Sequence, residues 1–203
     1  MKERESLLKK FLYIPQTNRY DYDGDLNKNY LSILVSEDKD GFIINFGKVT
    51  GDFNCSDLGL KSLKGAPQEV GKSFWCFRNK LTSLKGAPKE VGWNFNCSDN
   101  QLTSLAGVPQ KIGGSFICSG NQLTSLKGVP QIINGDFYCY NNQLTSLEGA
   151  PQKVGGDFWC FNNQLTSLEG APLIVDGDFY CQENQLTSLD GIGKVKGKIH
   201  KDF

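Results

Sequence analysis

The chain has 203 residues and a formal net charge of zero, with 22 basic and 22 acidic residues. This length fits one domain, and a neutral chain gives no electrostatic reason to expect a nucleic acid or a membrane surface as its partner. No apolar run approaches the roughly 18 residues of a transmembrane helix, and the N-terminus lacks the basic-then-apolar pattern of a signal peptide. We therefore expect a cytoplasmic protein that neither enters a membrane nor binds nucleic acid.

Residues 4–13 carry apolar side chains at helical spacing between charged ones, namely Leu7, Leu8, Phe11 and Leu12. This pattern predicts a short amphipathic helix that ends before Pro15. One interpretation is a cap over the open core of the first repeat, and the other is a helix that binds a partner.

Residues 16–48 are polar and irregular, but Leu26 and the stretch Leu31 to Leu34 resemble a degenerate repeat with an insertion. Terminal repeats are commonly atypical. We interpret residues 1–48 as an N-terminal helix and a degenerate capping repeat. Residues 49–203 then contain seven 21-residue repeats and a truncated C-terminal strand.

The repeats are marked by seven cysteines, each 21 residues after the last, at 55, 76, 97, 118, 139, 160 and 181. A strict period of this length predicts a solenoid, in which short units bury a core only by stacking. Phenylalanine stands two residues before every cysteine, so both side chains share the buried face of an extended strand. Two leucines follow, and then Gly and Pro mark a bend without helix. The back of each coil should be extended or polyproline-like.

The pattern Phe-x-Cys-x-x-Asn-x-Leu-x-x-Leu, as in Phe158 to Leu168, resembles the leucine-rich repeat. The resemblance covers residues 49–199 and implies parallel β-strands on one face of the solenoid. The motif Asn-Gln-Leu-Thr-Ser-Leu-x-Gly-Ala/Val-Pro also resembles repeats in uncharacterised proteins encoded by tailed bacteriophages and bacteria.

Neither the cysteines nor the acids form a convincing metal site. Stacked cysteines point the same way about 4.8 Å apart, which suits neither a disulfide nor a metal cluster. Asp21, Asp23 and Asp25 alternate as in a calcium loop, but Leu26 and Ser32 stand where Gly and Glu are required. His200 is the only histidine, and no serine has an identifiable base. We therefore predict reduced core cysteines, no metal, no cofactor and no catalytic residues.

An asparagine column at 79, 100, 121, 142, 163 and 184 has a structural interpretation. Asn can turn the chain by bonding its own backbone, and stacked Asn side chains can bond neighbouring coils where the bend leaves groups unpaired.

The strand residues next to Phe and Cys should face outward, on the surface that such repeats commonly use for binding. This face should carry a large aromatic and acidic cluster near the C-terminus and a smaller patch near the N-terminus. The large cluster is Asp136, Tyr138, Tyr140, Asp157, Trp159, Phe161, Asp178 and Tyr180, and the small patch is Trp75 and Phe77.

Exposed aromatic side chains at this density indicate an interface, although aromatic pairs between strands also stabilise a sheet without any partner. The three aspartates favour a partner with Lys or Arg, which could also lie on an aromatic ring. The rim residue after the second leucine changes sign along the solenoid, from Lys64 and Lys85 to Glu148 and Glu169. This change of sign is also compatible with an ordinary solvated edge.

Three hypotheses follow for the function. The first is a non-catalytic solenoid that binds another protein through the aromatic and acidic face; the phage resemblance implies a host protein, such as a component of a defence system, that is inhibited in the bacterial cytosol. The second is a small-ligand binder that stacks a nucleobase or a sugar, and the third is an enzyme. The last repeat lacks Pro and one residue, so the C-terminal end could also form a homodimer.

Overall fold

The computed structural model describes residues 2–203, with side chains from Arg4 onward. Its first elements are helix α1 (Lys2–Leu8), strands β1 (Leu12–Ile14) and β2 (Arg19–Tyr22), and helix α2 (Lys28–Ser32). Neither helix, in this described part, is long and apolar enough to cross a bilayer.

The helix predicted over residues 4–13 was wrong in its second half. Helix α1 ends at Leu8, and β1 pairs antiparallel with β2, with Tyr13 opposite Tyr20. Aromatic and β-branched residues at positions 13 and 14, followed by a turn, favour this hairpin over a longer helix. Leu12 is consequently 66% exposed.

The buried residues of this segment belong to the same core as the repeats. Leu7 and Phe11 are buried, and the Phe11 ring lies 5.7 Å from that of Phe46, as the cap interpretation requires. Leu26 forms a parallel bridge with Phe53 and is fully buried. The degenerate repeat thus continues the stack.

From residue 46 the chain is a parallel β-solenoid whose coils each contribute two short strands. In chain order these are β3 (Phe46–Val49), β4 (Phe53–Asn54), β5 (Glu69–Val70), β6 (Phe74–Trp75), β7 (Glu90–Val91), β8 (Phe95–Asn96), β9 (Lys111–Ile112), β10 (Phe116–Ile117), β11 (Ile132–Ile133), β12 (Phe137–Tyr138), β13 (Lys153–Val154), β14 (Phe158–Trp159), β15 (Ile174–Val175), β16 (Phe179–Tyr180), β17 (Lys194–Val195) and β18 (Ile199–His200).

The even-numbered strands from β4 to β18 form one eight-stranded parallel sheet, which we call the front sheet. Its register places each phenylalanine beside the next, from Phe53 to Phe179, with ring centroids 5.0–5.6 Å apart. These rings, the cysteines and most of the repeated leucines are fully buried. The predicted buried face is therefore confirmed, because identical side chains meet in register across parallel strands.

The back of the solenoid is extended, but it is a hydrogen-bonded sheet rather than polyproline. Strands β1, β2, β3, β5, β7 and β9 form one sheet, and β11, β13, β15 and β17 form another. The valine or isoleucine that ends each back strand is buried in most coils, while the residue before it is exposed, so one face again packs on the core. The chain therefore has two strand-bearing faces around one core.

The asparagine column joins neighbouring coils, as predicted. Asn121 Oδ1 accepts the Leu102 backbone N–H at 3.0 Å, and its Nδ2 donates to the carbonyls of Cys97 and Cys118, both at 3.1 Å. Leu102 and Cys97 belong to the preceding coil and Cys118 to the same coil. One buried amide thus satisfies backbone groups that the bend would otherwise leave unpaired.

The seven cysteines are free and buried. Burial raises the pKa of the Cys118 thiol well above its usual value, and the neighbouring Cys97 and Cys139 thiols add to this rise. At the last repeat, burial raises the pKa of Cys181 only to about 11. The thiolate, which is the reactive form, is therefore scarce in the folded protein.

Replacement of Asn121 by alanine should destabilise the solenoid by about 3 kcal/mol, since several buried backbone groups lose their partners. Chemical denaturation followed by circular dichroism measures this change. Gln122→Ala is the matched control, because this adjacent side chain is exposed. Equal losses for the two variants would contradict the role given to the asparagine column.

Thiol labelling at pH 8 should leave the native cysteines unmodified and modify all of them in denaturant, because burial disfavours the thiolate. In partly labelled molecules, mass spectrometry should locate the label mainly on Cys181, because its coil lies near the end of the front sheet and should open first. Rapid labelling of Cys118 in the native state would refute its placement in the core.

Candidate binding surface

All ten residues predicted for the exposed face lie on the front sheet or at its edge, and all ten are partly exposed. The fully buried Phe158 and Cys160 flank Trp159, whose side chain lies on the opposite, solvent side. This is the alternation expected of a strand. The structure thus establishes the position of these residues, whereas their role in binding remains a prediction.

The large cluster contains a continuous row of four rings, which we call the aromatic stack: Tyr138, Trp159, Tyr180 and His200. The centroids of Tyr138 and Trp159 are 5.7 Å apart, those of Trp159 and Tyr180 are 3.7 Å apart, and those of Tyr180 and His200 are 4.1 Å apart. The last two rings are nearly parallel, with an angle of 2° between their planes. A second row runs beside it, in which Tyr140 stacks on Phe161 at 4.5 Å.

The direction of stacking decides which part of each ring a partner can reach. Because the rings of neighbouring coils lie face to face along the solenoid, both faces of Trp159 and of Tyr180 are covered by other rings. Both side chains are partly exposed, but the Trp159 indole Nε1 is buried and has no hydrogen-bond partner among the described residues. A Lys or Arg placed over a ring face, as the sequence suggested, therefore finds no free face in the middle of the stack.

The three aspartates of the cluster have a structural role that the sequence analysis did not predict. Asp136 Oδ1 accepts the backbone N–H of Asp157 at 2.8 Å, and Asp157 Oδ1 accepts that of Asp178 at 2.7 Å. Asp178 Oδ1 in turn accepts the N–H of Lys198 at 2.8 Å. Each carboxylate thus ties its coil to the next coil.

The same link occurs near the N-terminus. Asp21 accepts the backbone N–H of Lys48 and Asp25 that of Asp52, at 2.7 and 2.8 Å. Asp23 accepts the Thr50 hydroxyl. These aspartates, which alternate as in a calcium loop, therefore connect coils. Among residues 4–203 no group of three potential metal ligands is close enough to hold an ion.

The second carboxylate oxygen differs among the three aspartates. Asp136 Oδ2 accepts the Tyr138 hydroxyl at 3.0 Å, and Asp178 Oδ2 lies 3.0 Å from His200 Nε2. Asp157 bonds through its backbone N–H and its Oδ1, and no hydrogen bond to its Oδ2 forms among the described residues. Of the three second oxygens, only that of Asp157 has no hydrogen bond to another described residue.

The pKa values of the cluster reflect these contacts. The hydrogen bond from His200, then that from the Lys198 backbone, lowers the pKa of Asp178 below its ordinary value. Partial burial, with the nearby Asp136 carboxylate, raises the pKa of Tyr138 to about 12. Near neutral pH the aspartate is therefore ionised and the phenol protonated.

The small patch has a different neighbourhood. Trp75 and Phe77 meet edge to face at 6.5 Å, and the Arg78 guanidinium lies 5.7 Å from the centroid of the Phe77 ring. In the neighbouring coils, the Asn54 and Asn96 side chains fold back to accept backbone N–H groups within their own coils. Trp75 thus has no aromatic ring beside it along the sheet.

Sequence analysis missed two residues of this face, His200 and Arg78. His200 pairs in register with Tyr180 only 20 residues earlier, because the last repeat lacks one residue. Allowing for this deletion would have placed His200 in the aromatic column. Arg78 follows the two outward positions of its strand, and its proximity to Phe77 depends on the turn that comes after the cysteine.

The sign change along the rim also appears in the structure as a contact. Lys127 and Glu148 occupy equivalent positions in adjacent coils and form an ion pair at 3.3 Å, with both side chains largely exposed. Exposed pairs contribute little to stability. The rim is thus a solvated edge at the one point where its two signs meet.

The fold and face together define the chain as a parallel β-solenoid of about seven 21-residue coils with an aromatic, acidic sheet surface. No protein-family model, no curated protein and no solved structure matches this chain.

Replacement of His200 by Phe should raise the pKa of Asp178, because the ring can still stack on Tyr180 but no longer donates a hydrogen bond. Carbon-detected NMR titration of the carboxyl groups measures this value, with Asp52 as an internal reference far from the substitution. An unchanged Asp178 pKa would show that the contact does not form in solution.

The sign of the accompanying stability change follows from linkage. The Asp178 pKa is lowered in the folded state, so its contribution is present above the unfolded value of 3.8 and is lost as pH falls through the folded pKa. The wild-type protein should therefore lose more stability than His200→Phe between neutral pH and the acid range below the usual aspartate pKa.

Proposed function

We propose that the protein is a non-catalytic, leucine-rich-repeat-like solenoid that binds another protein through the large cluster on its front sheet. The observation that carries the proposal is the concentration of five aromatic side chains, in two adjoining rows, on a partly exposed sheet surface. Surfaces of this kind are unusual on monomers, and Trp and Tyr are frequent anchors of binding energy.

The charge of the cluster supports a partner with a basic surface. Asp136, Asp157 and Asp178 lie in successive coils beside the aromatic rows, and Asp178 has a lowered pKa. A Lys or Arg of the partner would reach Asp157 Oδ2 at the border of the stack rather than lie over a ring face. Such complementarity would favour encounter and orientation more than affinity.

The partner class follows from the resemblance to phage-encoded repeats. If the chain shares their origin, it acts in the cytosol of a bacterial host, and a host defence protein is the partner we propose. Binding would inhibit that protein by occupying its surface. This assignment of the partner rests on the sequence motif of the repeats alone.

The geometry favours a protein over a nucleotide or a sugar as the ligand. A small planar ligand needs an open ring face, whereas the inner rings of the aromatic stack cover one another. Three carboxylates would also repel the phosphates of a nucleotide. A protein surface can instead pack against the ring edges over a wide area.

The tagged protein should retain a specific protein from bacterial lysate, and Trp159→Ala and Tyr138→Ala should each lose it. Because truncation of an aromatic anchor commonly costs 2 kcal/mol or more, retention should fall by about 30-fold. Quantitative mass spectrometry of the retained fraction measures this loss.

Trp93→Ala provides the matched control, since Trp93 is 64% exposed but lies outside the front-sheet strands. It should retain the partner fully. Thermal unfolding of all three variants verifies that they remain folded at the temperature of the experiment. Retention of the same protein by Trp159→Ala and Tyr138→Ala would exclude the cluster as the interface, and release of a small molecule on denaturation would support the ligand hypothesis.

A further inference from the structure

One backbone position in every coil adopts the left-handed conformation. It lies two residues after the cysteine, where φ is between 49° and 63° in all seven repeats. The residues there are Asp57, Arg78, Asp99, Gly120, Asn141, Asn162 and Glu183. Gly, Asn and Asp are the residues that tolerate this conformation.

Two of the seven residues depart from this preference, and they carry opposite charges. Arg78 has φ 50° and Glu183 has φ 53°. Arg78 adjoins the small patch, whereas Glu183 follows the last coil of the large cluster. A long charged side chain at a position that favours Asn or Gly suggests a purpose other than folding.

Arg78 is available for a further contact. Its side chain is 66% exposed, and its nearest carboxylate, Asp99, has one oxygen 4.0 Å from Nε, which is too long for a hydrogen bond. Asp57, on the other side, is paired with Lys28 at 3.2 Å. The guanidinium can therefore donate hydrogen bonds to a carboxylate while its stem remains beside Phe77.

The front sheet is consequently bipolar along the solenoid. A cation and two aromatic rings lie at one end, in the coil of Trp75. Carboxylates and the aromatic stack lie at the other end, up to Glu183. The outward strand positions of the two coils between carry neither a ring nor a charge: they are Asn96, Ser98, Ile117 and Ser119, and both serines are buried.

We propose that this face binds one extended segment of the partner, which lies along the solenoid axis with an acidic residue at Arg78 and a basic residue near Asp157 and Glu183. The proposal rests on the proposed function and adds the form and polarity of the bound chain. Charge complementarity fixes the direction, because the reversed segment would place like charges together at both ends.

The dimensions of the face suit an extended chain. Arg78 and Glu183 are five coils apart, which at about 4.8 Å per coil is about 24 Å, and an extended peptide spans this distance with about seven residues. A helix would need about 16 residues for the same span. The outward strand positions between the two ends carry no charge that would oppose a peptide crossing them.

The experiment selects peptides of about twelve residues, longer than the span requires, from a random linear library displayed on phage. The full chain and its Arg78→Asn, Trp159→Ala and Lys89→Asn variants are the baits. Peptides selected by the wild-type chain should carry an acidic residue and a Lys or Arg about six positions apart, with aromatic or apolar residues between. Selection of these peptides should be lost with Trp159→Ala.

Arg78→Asn separates recognition from folding. Asn suits the left-handed backbone better than Arg, so the midpoint of thermal unfolding should be equal or higher. The selected acidic residue should nevertheless disappear from the consensus, and the wild-type consensus peptide should bind about tenfold more weakly or worse. Lys89→Asn makes the same change in charge at an exposed position on the other side of the coil and should leave the consensus unchanged.

Two outcomes would overturn the proposal. If peptides depend on Trp159 but keep their consensus with Arg78→Asn, the large cluster binds without the bipolar contact, and the proposed function stands. If no linear peptide that depends on Trp159 is selected, the partner is not an extended segment. The retention experiment with Trp159→Ala then decides the proposed function separately.

Discussion

Each coil of this protein depends on its neighbours for its backbone hydrogen bonds. A 21-residue unit with two short strands and no helix cannot pair its own N–H and C=O groups, so both strand ladders run from coil to coil. Asn121 and its equivalents satisfy the bend from within the core, and the Asp136 series satisfies the turn before the front strand. This requirement holds identical residues in register and thereby creates every column of side chains.

The same register places the outward side chains of successive coils next to one another, so together they form one continuous surface. Positions inside the coil are restricted to Phe, Cys and Leu by shape, and the Asn column by hydrogen bonding. The outward strand positions have no such restriction, and they vary from Asn54 through Ile117 to Trp159. Part of the aromatic stack must nevertheless stabilise the sheet, since rings 3.7–4.1 Å apart gain from mutual contact. The side chains that we propose for recognition thus also stabilise the sheet.

The sequence predicted the features that follow from fixed positions in the repeat. The buried Phe and Cys columns recur in all seven repeats and the bonding Asn column in six, and strand alternation then places the aromatic side chains outward. The features it missed depend on contacts between coils or on single departures from the pattern. Helix α1 was made too long because Phe11 and Leu12 fit a helical period, although the chain had already turned toward a hairpin. The back strands from β5 onward are two residues long, which is too short a pattern to distinguish them from other extended chain.

The aspartates show how the same residue can be misjudged from sequence alone. Their spacing beside aromatic positions suggested carboxylates free for a partner, but a backbone N–H one coil away already occupies one oxygen of each. No property of a single repeat reveals that donor, because it belongs to the next copy. Only the second oxygen and the overall charge remain for recognition.

A stacked surface has a further consequence for binding. Side chains on a flexible loop lose conformational freedom when a partner immobilises them, whereas Trp159 is already held between Tyr138 and Tyr180. The cost of ordering these rings is met when the solenoid folds, so contacts made by their edges contribute more of their energy to association. The rings of neighbouring coils in the stack lie 3.7–5.7 Å apart, so they form one continuous aromatic surface. A partner that contacts this surface, as we propose, would therefore meet several pre-ordered rings at once.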